Sequence, residues 1–169
     1  MDAGVERQLA NAKSRFFLPW LGTVIAVLAL AGLGFALAGG ASPHDGRLPT
    51  LPKWMTAAGF VWCGLVLFVR QQIMDPMGIA ARLPAADAAA VVRHLFAGYL
   101  VLWSTALVPP IIGIAQILAG GDARMHLLLC AAALMVLVYL MPVQSKLAAQ
   151  AGVALAILEK ALGKREGPG

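Results

Sequence analysis

Charged residues divide this chain into long uncharged stretches. Four stretches contain no Lys, Arg, Asp or Glu: residues 16–44, 54–69, 95–121 and 125–145. A helix needs about 20 predominantly apolar residues to cross ~30 Å of hydrocarbon, because it rises about 1.5 Å per residue. The pattern therefore predicts four transmembrane helices, near residues 16–38, 54–74, 94–119 and 126–143.

Short turns rich in Gly and Pro separate these predicted spans and pair them as neighbours. We therefore expect an all-α fold, a single membrane domain over residues 1–169 built from two antiparallel helical hairpins. The first apolar run is longer than the ~7–15 residues of a signal-peptide core, so we expect it to be retained as a span. After Pro142, apolar residues at helical spacing predict an amphipathic helix over residues 145–163, which lies on lipid or docks onto a partner.

Basic residues predict the orientation of the spans. With both termini in the cytoplasm, ten of the 13 Lys and Arg residues lie inside and three, Arg47, Lys53 and Arg124, lie outside. This bias follows the positive-inside rule. We expect a multi-pass protein of a bacterial-type inner membrane with its N- and C-termini inside.

The composition agrees with this class and excludes several others. Apolar residues make up 60% of the chain and charged residues 12%, whereas soluble domains carry about 25% charged residues. Every acidic residue lies outside the predicted spans, which disfavours a proton pump or an ion-coupled carrier. The scattered basic residues do not suggest nucleic-acid binding.

Histidine and cysteine positions do not predict a metal or cofactor site. His94 and His126 bracket the third span and its outer turn, so we expect them to be solvated at opposite faces of the membrane, and His44 lies in the first external loop. Cys63 and Cys130 each stand alone in a span and have no second cysteine at ligand spacing. We expect no catalytic residue, no metal, no cofactor and no enzymatic activity.

The Pro109-Pro110 pair predicts a kink in the third span, because proline donates no backbone hydrogen bond. Ser104 and Thr105, one turn earlier, are candidates to bond the carbonyls that the prolines leave free. The kink either shapes helix packing or borders a pocket for a lipid, a quinone or another small apolar ligand.

Small residues repeat every fourth position on the first span, at Gly32, Ala36 and Gly40. Such a stripe lets two membrane helices approach closely. It faces either the second hairpin of the same chain, which we favour, or another subunit. A faint internal repeat at an offset of 81 residues would pair Gly32 with Gly113.

Four polar residues lie at the predicted cytoplasmic surface: Arg70, Gln71, Arg93 and His94. They form a candidate contact for lipid headgroups or for a carboxylate of a partner. The alternative for Arg70 is an anchor that extends to the headgroups from the end of a short span.

The segment Trp103-Ser104-Thr105-Ala106-Leu107-Val108-Pro109-Pro110-Ile111-Ile112-Gly113, with the Gly-Gly turn and the helix that follow it, resembles the proteolipid hairpin of the rotary ATPase c-subunits. The possible double hairpin resembles the four-helix versions of that family. The resemblance implies a hairpin architecture. It does not imply ion transport, because Leu107 stands near the place of the family's ion-binding carboxylate.

These observations favour a non-enzymatic accessory or structural subunit of a larger membrane complex. The expected partners are membrane lipids and other membrane subunits or further copies of the chain. One alternative is a small carrier or lipid- or quinone-binding protein that uses the Pro109-Pro110 kink. Another is a membrane enzyme with Arg70, Arg93 and His94 at the cytoplasmic face.

Overall fold

The computed structural model describes residues 3–40, 50–83 and 87–163, with side chains for residues 14–39, 50–83 and 87–161. These ranges contain helices and no strand, so the predicted all-α class is confirmed. The helices are α1 (Ala3–Gly40), α2 (Leu51–Ile73), α3 (Pro76–Arg82), α4 (Ala88–Thr105), α5 (Val108–Leu118), α6 (Ala123–Tyr139) and α7 (Gln144–Gly163).

Three stretches are long and apolar enough to cross a membrane: Ser14–Gly39, Leu51–Ile73 and Ala88–Leu118, the last made of α4 and α5. Helix α6 has 17 residues and is about 25 Å long at 1.5 Å per residue, which is short for a bilayer. Helices α6 and α7 are bent by 59° and form a fourth candidate only if the pair is one span. The prediction of four spans is thus confirmed in part.

Asp75 and Asp87 stand at the starts of α3 and α4. The carboxylate of Asp75 accepts the Gly78 N–H at 3.0 Å, and that of Asp87 accepts the N–H groups of Ala89 and Ala90. Each helix start leaves backbone donors without a partner in the helix, and an Asp cap supplies one.

The described residues cluster into two compact units. Unit 1 contains the described residues up to Pro19, Val69–Val101 and those from Pro142 onward. Helix α3 packs on α7 in this unit. Phe16 lies edge-on to Phe96 and Tyr99, with ring centroids 5.2 and 6.1 Å apart.

The C-terminal helix differs from its prediction in what covers its apolar face. The apolar residues of α7 are buried within the chain, among them Leu147, Ala151, Ala154, Leu155 and Leu158. Both alternatives considered from the sequence placed this face outside the chain, on lipid or on a partner. The short helix α3, which the sequence pattern did not predict, packs against α7.

Unit 2 contains Trp20–Phe68 and Leu102–Met141. Helices α5 and α6 pack together as a hairpin. The turn between them uses Gly120, whose φ of 84° is in the left-handed region that favours glycine. The Gly121 N–H bonds back to the Gln116 carbonyl at 2.9 Å, which ends α5 in the manner of a glycine C-cap.

Candidate functional site

The break between α4 and α5 lies at the predicted proline pair. Pro109 and Pro110 are buried. Pro109 has no N–H to donate to the Thr105 carbonyl four residues back. The indole N–H of Trp62, from α2, donates to this carbonyl instead, at 3.0 Å.

The predicted role of Ser104 and Thr105 is therefore wrong in its details. The Thr105 hydroxyl donates to the Leu102 carbonyl at 2.9 Å, which also accepts the Ala106 N–H and is not one that the prolines leave free. Ser104 is exposed. The Thr105 carbonyl, one of the two that the prolines leave free, thus has an indole donor. A ligand pocket beside the kink stays a prediction.

The end of α6 is held in the same way by two more tryptophans. Proline at position 142 cannot continue the helix, and the Met141 N–H turns back to the Val138 carbonyl at 3.2 Å. The Trp20 indole donates to the Leu137 carbonyl at 2.9 Å, and the Trp103 indole donates to the Leu140 carbonyl at 3.3 Å. Indole donors satisfy carbonyls at helix breaks where no water competes.

His126 is fully buried in unit 2, contrary to the prediction that it is solvated. Its Nε2 lies 3.1 Å from the Leu30 carbonyl of α1. Since a carbonyl only accepts, Nε2 carries the hydrogen in this bond. The Cys130 sulfur lies 3.6 Å from the same nitrogen.

Two glycines make room for this imidazole ring. A Cβ built on Gly34 of α1 or on Gly113 of α5 would overlap ring atoms of His126. The side chain thus occupies a slot that only glycine leaves open on either side. It connects α6 to α1 by a hydrogen bond and by close packing.

The small-residue stripe of α1 lies on the other side of the helix. Gly32 and Ala36 are exposed, and a Cβ on Gly32 would meet no described atom within 4 Å. The favoured prediction, that the stripe packs on the chain's own second hairpin, is wrong for these two residues; the side-chain position of Gly40 lies outside the described part. The faint internal repeat would pair Gly32 with Gly113. The two glycines are not in equivalent surroundings, because Gly113 is buried and Gly32 is exposed.

The four predicted polar residues all belong to unit 1. Arg93 pairs with Asp87 at 3.7 Å, and both side chains are mostly exposed, so this ion pair contributes little to stability. Gln71 is exposed, while Arg70 and His94 are partly buried. Their contact with headgroups or with a partner stays a prediction.

A cavity with a few polar groups lies in unit 2. It has a volume of about 360 Å³ and is lined by residues of α2 and of the α5–α6 turn: Pro52, Lys53, Thr56, Gln116, Gly120, Gly121, Asp122 and Met125. Asp122 caps α6 by accepting the Arg124 N–H at 2.9 Å. Gln116 is 1% exposed and stands beside this cap.

Among the described residues, no group of three or more His, Cys, Asp and Glu side chains is placed to hold a metal ion.

The sequence pattern did not identify His126, Gly34 or Gln116 as residues of a buried site. The sequence signals for these residues were Gly34, Gly113 and Gln116, the last a polar residue inside an uncharged stretch. The sequence alone does not say that residues 34, 113 and 126 meet.

No family model, curated protein or solved structure matches the chain. The fold is all-helical, and its three or four candidate spans are consistent with a multi-pass membrane protein.

Proposed function

We propose that this chain is a non-enzymatic accessory or structural subunit of a larger assembly in a bacterial-type inner membrane. The observation that supports the proposal is the outward face of α1, where Gly32 and Ala36 are exposed. We assign this face to close packing against a helix of another subunit or of a second copy of the chain.

The burial of the candidate spans favours this assignment. Only 11% of the most apolar part of Ser14–Gly39 is buried, compared with 44% for Ala88–Leu118. Exposed apolar side chains are normal where lipid is the solvent. Exposed small residues at a spacing of four are the pattern that brings membrane helices into contact.

The orientation of the subunit is part of the same proposal. Both termini lie in the cytoplasm, as the excess of Lys and Arg in the predicted inside segments favours. Labelling of single cysteines with a membrane-impermeant thiol reagent tests this orientation. A cysteine introduced at exposed Gln71 reacts only after the membrane is opened, whereas one at exposed Lys53 reacts in intact cells.

Extraction from native membranes in a mild detergent tests the assembly. The wild-type chain runs as a complex larger than one 17.6 kDa chain in its micelle. Gly32→Leu fills the proposed helix contact and releases the chain as a monomer. Gly64→Leu is the matched control, because Gly64 on α2 is also exposed and open around its Cβ position.

A wild-type chain that is monomeric under these conditions contradicts the proposal. So does a Gly32→Leu chain that stays in the complex to the same extent as Gly64→Leu. Loss of the complex in both variants would mean that any added bulk disturbs the protein, and the assignment to α1 would fail.

A further inference from the structure

The cavity of unit 2 lies where two candidate spans end. Lys53 and Thr56 stand in the first turns of the span Leu51–Ile73, and Gln116 stands in the last turn of the span Ala88–Leu118. We place the boundary between hydrocarbon and headgroups at these two span ends. At about 360 Å³, the cavity is at the small end of the ~300–1,000 Å³ typical of ligand pockets.

Gln116 provides a buried hydrogen-bond acceptor at this cavity. Its Nε2 donates to the Asp122 carbonyl at 3.4 Å, while its Oε1 is buried and has no partner among the described residues. Because the Asp122 carbonyl only accepts, the nitrogen must face it, which settles the orientation of the amide. A buried acceptor of this kind calls for an N–H or O–H donor.

The other polar groups of the cavity add charge of both signs. The Asp122 carboxylate accepts one backbone N–H, at 2.9 Å, and keeps lone pairs for another donor. Lys53 supplies a cation from α2. The Thr56 hydroxyl donates to the Pro52 carbonyl at 3.0 Å, so it meets a ligand as an acceptor.

We propose that this cavity binds a phosphoethanolamine group, with its primary ammonium on Gln116 Oε1 and Asp122 and its phosphate near Lys53. A primary ammonium has the three N–H donors that two acceptors require, and a carboxylate strengthens such bonds. A purely anionic ligand would leave the Gln116 oxygen without a donor. The two sources of this group are a phosphatidylethanolamine headgroup and the free zwitterion.

Native mass spectrometry of the full chain in detergent tests the proposal with dioctanoyl phosphatidylethanolamine and dioctanoyl phosphatidylcholine. Choline carries three methyl groups on nitrogen where ethanolamine carries three N–H donors, and the glycerophosphate and acyl parts of the two lipids are the same. We expect the ethanolamine lipid to bind about tenfold more tightly, as a charged hydrogen bond is worth about that factor. Equal binding of the two lipids would overturn the proposal without any variant.

Two variants assign the preference to the cavity. Gln116→Met keeps the size of the side chain and removes the acceptor, so it abolishes the preference. Gln150→Met is the matched control, because Gln150 on α7 also has a buried Oε1 with no described partner but lies outside the cavity. If Gln116→Met does not fold, Asp122→Asn serves, since Asn also caps a helix and loses only the charge.

A preference that survives both Gln116→Met and Asp122→Asn, or that Gln150→Met removes equally, contradicts the assignment. Free phosphoethanolamine distinguishes the two sources. Competition by the free zwitterion at concentrations close to those of the lipid indicates a soluble ligand. Binding of the lipid alone indicates a headgroup. Either result supports the proposed chemistry, and absence of both types of binding overturns it.

Discussion

Two faces of α1 carry glycines with opposite surroundings. At Gly34, a side chain would overlap the imidazole of His126, whereas at Gly32 it would meet no described atom within 4 Å. The two positions are two residues apart, so they point about 200° apart on a helix of 3.6 residues per turn. One glycine serves packing inside the chain, and the other leaves the outer face of the helix flat.

The inward face of α1 is continuous over several turns. Trp20 bonds the Leu137 carbonyl, Val27 is fully buried, and the Leu30 carbonyl accepts from His126. These residues lie within about 40° of Gly34 at ~100° per residue. A spacing of four between small residues therefore identifies a helix face suited to close packing. It does not show whether that face packs inside the same chain.

Gly34→Leu is expected to have the largest effect on folding. The added side chain has no space beside His126, and forced overpacking costs about 3 kcal/mol or more at a site closed on both sides. Thermal unfolding in detergent can be followed with a thiol-reactive dye, because Cys130 is buried in the folded protein. A folded variant with wild-type stability would show that the inward face is not closely packed.

A double-mutant cycle tests whether the His126 ring is what limits the space at Gly34. Gly34→Ala alone is expected to cost about 1–3 kcal/mol. In a His126→Ala background the ring is gone, so the same change is expected to cost less than about 0.5 kcal/mol. Equal costs in the two backgrounds would mean that something other than the imidazole limits the space at Gly34.

Trp20→Phe removes one indole donor from the inward face while keeping an aromatic ring. The Leu137 carbonyl then lacks this donor, and the expected cost is about 1 kcal/mol, within the range for a lost hydrogen bond. Trp54→Phe is the control, since Trp54 is 73% exposed and is expected to leave the unfolding temperature unchanged. A cost that is the same for both would indicate that loss of the indole itself, and not the hydrogen bond, matters.

Gly32→Leu is expected to have the smallest effect on the stability of the isolated chain, within about 0.5 kcal/mol of wild type. The exposed position has room for the side chain, and leucine favours helix more than glycine does. The same unfolding measurement on detergent-purified monomer checks it. Destabilisation as large as that of Gly34→Leu would remove the difference between the two faces.

Much of the helical pattern follows from where charges are absent. Uncharged stretches predicted both ends of the candidate spans Ser14–Gly39 and Leu51–Ile73 to within a few residues, because a span needs a long apolar stretch without charge. They predicted the end of Ala88–Leu118 equally well, but not its start. The fourth span was predicted too far along the chain, since α6 begins at Ala123 and ends at Tyr139, ahead of Pro142. The Pro109-Pro110 pair likewise predicted the helix break, because proline acts through its own backbone.

The surroundings of His126 and of the Pro109-Pro110 kink depend on contacts between residues far apart in the sequence. The positions of charges and prolines do not predict such contacts. His126 follows a charged turn, so the sequence placed it in solvent, whereas its burial requires Gly34 and Gly113 to be aligned with it. The donor for the Thr105 carbonyl is Trp62, 43 residues away, and not the neighbouring hydroxyls. Relative rotation and register of the helices decide such contacts, and these are tertiary properties.

Photo-crosslinking from the outward face of α1 tests whether this face packs against a helix of a partner. A photoreactive amino acid replaces Ala36 in cells that carry the otherwise wild-type chain, and the control places it at exposed Gly64 on α2. We expect position 36 to form a discrete protein adduct that Gly32→Leu abolishes, and position 64 to label lipid alone. No adduct at position 36, or the same adducts at both positions, would contradict the assignment of this face to a partner helix.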